Sequence, residues 1–311
     1  MTTIFLKVLY LFLIITINLY IGAYLVNKIS ARSEHRRGFS ISKAGWFGYP
    51  ALKVLKYLEK SYKINIWEFL LLFLSFFIWT IIPFSTWLVL IKLEGDLIIA
   101  LLFYMMLIFI FLINASRSSY ETIYQNVSRN VLMAYSFEIP IIFCVSSIVL
   151  INRTLNLKEI VGFQYQFWNI VYQPLGFVVF FTAVFLQIKL FSLTKTNNLI
   201  FKQNSEKEIS GFGRFIVRVA YYNIFYFLIV LIIILYLAGW QNVYFLNGNI
   251  LFILKFYIIF IVILLLDKAT PLLDDYKYLI SINWKFLIPV AVANFLLTLV
   301  FFILRNVYSL I

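Results

Sequence analysis

The sequence predicts an all-α, polytopic integral membrane protein with about eight transmembrane helices, on three observations. Of 311 residues, 63% are hydrophobic and 20% aromatic but only 13% are charged, a balance outside that of soluble domains. The apolar residues gather in runs of helix length, and crossing about 30 Å of hydrocarbon at 1.5 Å per residue takes roughly 20 residues. The net charge of +13 falls in the gaps between those runs, so it is a topology signal and not a nucleic-acid-binding surface.

The runs lie near 4–26, 66–90, 97–113, 131–151, 167–191, 215–238, 250–266 and 286–304, and together they make one membrane domain over residues 1–311. The third and seventh are short. The first carries Lys7 near its start in the manner of a signal peptide. Its apolar stretch is too long for one and no A-x-A site follows, so it reads as a retained span.

Charge sets the orientation. The loops after the first, third, fifth and seventh runs hold 18 Lys and Arg, and the other side holds only Lys7, Lys92, Arg153, Lys158 and Arg305. That imbalance puts the odd loops in the cytoplasm or the mitochondrial matrix, with both termini opposite. The odd loops of interest cover 27–65, 192–214 and 267–285. In the longest, Leu52, Leu55 and Leu58 alternate with Lys53, Lys56 and Lys60, the pattern of an amphipathic helix lying along an interface. Periodicity reads it as a helix that grips anionic lipid; a second reading makes it the floor of a site beneath a docked soluble partner.

The fourth run carries Glu138. A charge at the bilayer centre costs about 3 kcal/mol on insertion scales, so an acid there usually faces protein, water or a substrate path. Pro140 follows two residues later. It lacks an N–H and crowds the carbonyl of Ser136, which predicts a bend beside the acid and a freed backbone acceptor. Three cations also lie within runs: Lys189 and Arg218 are expected to snorkel toward the odd loops, and Lys255 either snorkels or forms a buried ion pair. One cysteine, Cys144, and one histidine, His35, exclude a disulfide framework, a Cys/His metal cluster and a Cys–His nucleophilic pair close in sequence. No internal repeat, phosphate cradle, EF-hand or heptad run is visible. The wealth of Phe, Ile, Tyr, Lys and Asn is what an AT-rich genome encodes.

Several motifs then carry a resemblance. Arg36-Arg37-Gly38-Phe39-Ser40 and Gly45-Trp-Phe-Gly48 precede the amphipathic stretch; Arg129 stands nine residues before Glu138 in SRNVLMAYSFE; Glu206-Lys-Glu208-Ile-Ser-Gly211-Phe212 closes an acidic loop; Asn283-Trp284-Lys285-Phe-Leu-Ile-Pro289 opens the last span. In order and spacing these resemble the first mitochondrially encoded NADH dehydrogenase subunit of respiratory complex I and its bacterial counterpart. The resemblance covers nearly the whole chain. The Arg129–Glu138 stretch is its most specific part.

The resemblance implies a membrane subunit that binds no NADH itself and holds no cofactor. Its odd loops would cradle peripheral-arm subunits that carry the iron–sulfur clusters, with FMN also in partner subunits. A tunnel between them would lead ubiquinone from the lipid to the terminal cluster. The membrane would be the mitochondrial inner membrane, or the plasma membrane if the source is bacterial. Glu138 would serve proton coupling; Arg36, Arg37, Arg129, Glu206, Glu208 and Phe212 would line the tunnel or the docking surface. Arg129 and Glu138 project about 180° apart on a helix, so each needs its own partner.

The departures are specific. Where the family has E-T-N-R-x-P-F-D, this chain has Lys195-Thr-Asn-Asn198-Leu-Ile-Phe-Lys202; the family's carboxylates early in the sixth span are missing from 215–228; its R-x-R-Y-D becomes Leu273-Asp274-Asp275-Tyr276-Lys277. Either the proton-coupling role is lost or its charges stand at other positions or in other subunits; the architectural role is intact. A secondary transporter using Glu138 and a buried cation, and a structural anchor, remain the alternatives. The missing repeat and the long basic loop weigh against the first, and a costly buried acid weighs against the second.

Overall fold

The computed structural model describes residues 2–33, 35, 66–85, 88–91, 93–116, 121–190, 211–242, 247–270 and 276–308. The amphipathic stretch at 52–60, Arg36, Arg37, Glu206, Glu208 and most of the three odd loops lie outside the described residues. Among the described residues all regular structure is helical: α1 (Thr2–Ser33), α2 (Ile66–Phe77), α3 (Asp96–Ser116), α4 (Glu121–Asn152), the short α5 (Leu157–Phe163) and α6 (Asn169–Tyr172), α7 (Pro174–Leu190), α8 (Gly211–Tyr236), α9 (Gly248–Ala269), α10 (Tyr276–Ile282) and α11 (Ile288–Tyr308). A π-helical turn, Asn283–Leu287, joins the last two.

Among the described residues, five helical stretches are long and apolar enough to cross a membrane: Phe5–Ser33, Ala134–Asn152, Phe215–Tyr236, Gly248–Ala269 and Tyr278–Leu304. Three shorter apolar helices, Ile66–Thr80, Asp96–Phe111 and Pro174–Leu190, stand in the remaining runs. Proline accounts for two of the differences in length. The run expected over 66–90 leaves helix after Thr80, because Pro83 donates no hydrogen bond and disfavours helical backbone at Ile82. Just beyond, Ile81, Ile82 and Leu88 are buried, and Leu88 N donates to Ser85 Oγ at 3.1 Å. Irregular backbone at membrane depth is tolerated where protein covers it. The run expected from 167 becomes continuous helix only at Pro174, whose fixed φ suits a first helical turn.

α8 is the axis of the bundle. Every residue from Ile224 to Tyr236 is buried, and a helix that is apolar all round belongs at a centre. It packs on α2, α9, α7, α5 and α1, while α4 packs on α7 and α11. The carboxyl end of α8 is held by side chains from elsewhere. Gln164 Nε2 donates to Ile234 O at 2.8 Å, Asn169 Nδ2 to Leu235 O at 2.7 Å, and Lys255 Nζ to Leu237 O at 2.5 Å. These partners satisfy carbonyls that the helix itself leaves open.

α1 lies at the outside with much of its apolar surface exposed, and it packs on the bundle through Leu11, Ile15 and Val26, with polar contacts at Asn18. Tyr226 Oη donates to Asn18 O at 3.0 Å and Tyr257 Oη to Asn18 Oδ1 at 2.7 Å. One turn on, Gly22 lets α8 approach so closely that a Cβ there would collide with the Tyr226 hydroxyl. Gly22→Ala is expected to cost about 1–3 kcal/mol, the usual range for overpacking. A thermal unfolding midpoint in detergent equal to that of the wild type would refute this.

Candidate functional site

The inward face of α4 is set by Ala134, Phe137, Ile141, Cys144, Val145 and Ile148, all buried at helical spacing. Glu138 shares that face and is 2% exposed. Its Oε1 accepts a hydrogen bond from Gln187 Nε2 of α7 at 2.6 Å. The Tyr104 hydroxyl of α3 lies beside the carboxylate, near enough to feel its charge. Neither Glu138 Oε2, Tyr104 Oη nor Gln187 Oε1 meets another protein atom in standard hydrogen-bonding geometry. Three helices therefore bring a carboxyl, a phenol and an amide to one buried locus, a grouping that can hold and release a proton.

The acceptor expected from Pro140 is present and occupied. α4 remains helical through Pro140, and Asn283 Nδ2 donates to Ser136 O at 2.9 Å and to Ser136 Oγ at 3.1 Å. Asn283 opens the π-helical turn, so a rare helix geometry meets a proline-altered one beside Glu138. Asn283→Leu would remove the amide donor to the Ser136 carbonyl and hydroxyl and is expected to lower stability by about 1–3 kcal/mol. The check is the thermal midpoint in detergent, and no change would mean that Ser136 finds another donor.

A family model described as NADH dehydrogenase matches residues 6–299. The chain belongs to that family. The H subunit of NADH-quinone oxidoreductase from Bacillus cereus (strain B4264) is 34% identical over 168 residues, 52% of this chain and 50% of that protein. The same figures hold for the namesake from Bacillus thuringiensis (strain Al Hakam). The match thus spans about half the length of these curated relatives. Among solved structures, a chain of the membrane-bound sulfane sulfur reductase, an archaeal respiratory membrane complex, superposes with a TM-score of 0.79 at 15% identity, covering 95% of this chain and 99% of that one. That likeness shows a shared fold.

In this NADH dehydrogenase family chain two of the three cations within the apolar runs, Lys189 and Lys255, depart from the arrangements expected for them. Lys189 is a correction: it is buried, and its Nζ donates to Thr270 O at 2.6 Å and to Asp267 O at 2.9 Å, with Asp267 Oδ1 at 3.5 Å. The α9 carboxyl end offers carbonyls and a carboxylate, which outweigh a stretch to the surface. Lys255 forms neither of the two expected arrangements. Besides Leu237 O, it reaches Gly239 O at 3.3 Å and lies 4.7 Å from the centre of the Trp168 ring, so carbonyls and an aromatic face replace a counter-ion. Arg218 is half-buried beside Tyr222.

Of the residues tied to the family motifs, Glu138 sits at the locus described. Arg129 belongs to α4 by its backbone, and its side chain lies outside the described residues. Phe212, half-buried, stacks obliquely near Phe215 with ring centres 6.1 Å apart, at the start of α8 and away from Glu138 in sequence register. Sequence reasoning missed Tyr104, Gln187 and Glu68. Glu68 is 4% exposed and lies against Gly213, where a Cβ would collide with its carboxylate. An acid inside an apolar run was the available signal for Glu68, just as for Glu138. Tyr104 and Gln187 carried none, since a tyrosine or glutamine in an apolar run has many uses.

Proposed function

We propose that the chain is the quinone-tunnel and junction subunit of a complex I-type, proton-translocating NADH:ubiquinone oxidoreductase. The observation that carries this reading is the buried Glu138–Gln187 pair beside Tyr104 in a chain that belongs to the NADH dehydrogenase family. In the full reading all eight apolar helices span the membrane. The odd loops face the matrix or cytoplasm and dock the iron–sulfur and quinone-binding subunits, with FMN further out in the peripheral arm. Ubiquinone enters from the lipid along residues that include Arg36, Arg37, Arg129, Glu206, Glu208 and Phe212.

Within this chain the chemistry is proton handling. Glu138 holds a proton at Oε2, Gln187 fixes the rotamer by donating to Oε1, and Tyr104 stands ready to donate to the carboxylate or accept from the carboxyl. A charge arriving near the quinone end shifts the balance between the two states of Glu138. The curated relatives are named for quinone, whereas the fold match is to a chain of a sulfane sulfur reductase, so the fold alone does not choose the substrate.

The test is to solubilise native membranes gently, resolve them on a native gel, stain for NADH dehydrogenase activity, and locate this chain by mass spectrometry. Co-migration with a very large active band supports the reading; a small species without dehydrogenase subunits overturns it and favours transport. Charge reversal at Arg36 and Arg37 together is expected to deplete the peripheral arm from the membrane complex. Retention of the arm after washing would refute docking through these two residues.

A further inference from the structure

Between α4 and α7, at the end of the bundle away from the odd loops, the connection over 163–173 has its polarity inside out. Gln164, Asn169 and Gln173 are buried, whereas Phe163, Tyr165, Phe167, Val171 and Tyr172 are exposed, Tyr165 to 83%. A loop that faces water does the opposite, covering its rings and wetting its amides. Charge also stops short of this segment. Lys158 and Glu159 are exposed on α5, and the next charged residue in the sequence is Lys189.

The inward amides fix the depth of the segment. Besides the bonds from Gln164 Nε2 to Ile234 O and from Asn169 Nδ2 to Leu235 O, Gln164 Oε1 accepts from Ala238 N at 2.9 Å and from Asn169 N at 3.3 Å. The segment is thereby stapled to the last turn of α8, which is apolar enough to cross a membrane as far as Tyr236. Trp168 gives a second measure. Its ring centre lies 4.7 Å from Lys255 Nζ, and Lys255 stands seven residues after Gly248, roughly 10 Å inside the start of α9. Two membrane-length helices thus hold 163–173 at their own level and not above it.

We propose that residues 163–173 form an aromatic foot seated in the headgroup–acyl boundary of the even leaflet, with a phospholipid surface as its partner. Tyrosine and tryptophan favour that level because each joins an apolar ring to a polar tip. The outer surface of the foot continues that of α7: Val171, Tyr172, Leu175 and Val178 are all exposed, at helical spacing. Gln166 is the one amide on the outer side of the foot, and headgroups can hydrogen-bond it where hydrocarbon cannot. Irregular backbone is tolerated at this depth because α8 and the foot's own amides engage its inner side. The foot ends the membrane-facing surface, and Lys158 and Glu159 mark where water begins.

Spin labels on Tyr165→Cys and Phe167→Cys, with Lys158→Cys as the aqueous reference, test the foot in the native assembly reconstituted into phosphatidylcholine vesicles. All three side chains are exposed, so the substitutions remove little packing, and the unsubstituted protein, whose Cys144 is buried, gives the blank. Power-saturation electron paramagnetic resonance reads collisions with molecular oxygen, which concentrates in lipid, and with neutral nickel ethylenediaminediacetate, which stays in water. Oxygen collisions are expected to exceed nickel collisions at 165 and 167, and the order is expected to reverse at 158. Nickel exceeding oxygen at 165 and 167 makes the segment an aqueous loop and overturns the foot. Few collisions with either reagent at both positions mean protein cover, which also overturns it and gives the surface to a partner subunit. None of these readings depends on quinone chemistry, so a chain that fails to co-migrate with dehydrogenase subunits overturns the proposed function and leaves the foot standing.

Discussion

Glu138→Gln is expected to lower quinone-linked NADH oxidation by about 100-fold, the lower end of what a positioned acid–base group contributes, while the complex still assembles. Glutamine keeps the volume of glutamate and keeps an oxygen that can accept from Gln187 Nε2, so the packing between α4 and α7 has no reason to fail. What is lost is the group that binds and releases a proton. Measuring NADH oxidation with quinone and with an artificial acceptor separates coupling from the peripheral-arm reaction. A selective loss of the quinone-linked rate supports the coupling role; an unchanged rate in a complete complex makes the chain an architectural anchor.

Lys189→Met is expected to cost about 3–5 kcal/mol, the range for breaking one side of a buried ion pair. The ammonium is the bond between the carboxyl ends of α7 and α9, and its loss leaves the Thr270 and Asp267 carbonyls and the Asp267 carboxylate facing a thioether. Asp267 is 13% exposed at its side chain and retains some water, which places the effect toward the lower part of that range. Lys189→Met combined with Asp267→Asn should recover part of the loss, because the stranded charge is gone. Thermal midpoints of the two single variants and the double variant check this as a cycle, and additive losses would show that the two groups do not interact.

The apolar runs were legible because hydrophobic length is a local property: each of the runs near 4–26 through 286–304 holds an apolar helix. Their inner boundaries were less so. Pro83 and Pro174 shorten two helices, and a hydropathy reading passes over a proline that sits among isoleucine, phenylalanine and glutamine. Glu138 was legible as a site because an acid in an apolar run is costly wherever it points. The freed acceptor at Ser136 was legible too, from Pro140 four residues on. Lys189 was misjudged, since near a helix end the surface and a buried partner are equally reachable by a flexible stem.

The sequence by itself determined that this chain is helical, that it is built for a membrane, and that Glu138 and the Ser136 carbonyl would need partners. Length, polarity and the missing N–H of proline act within one helix, so their consequences are fixed before any packing occurs. Only the tertiary structure decided who those partners are. Gln187 meets Glu138 across 49 positions of sequence, Asn283 meets Ser136 across 147, and Lys189 meets Thr270 across 81. Contacts at such separations depend on which helices lie side by side and on how each is rotated, and no periodicity within a single run carries that information.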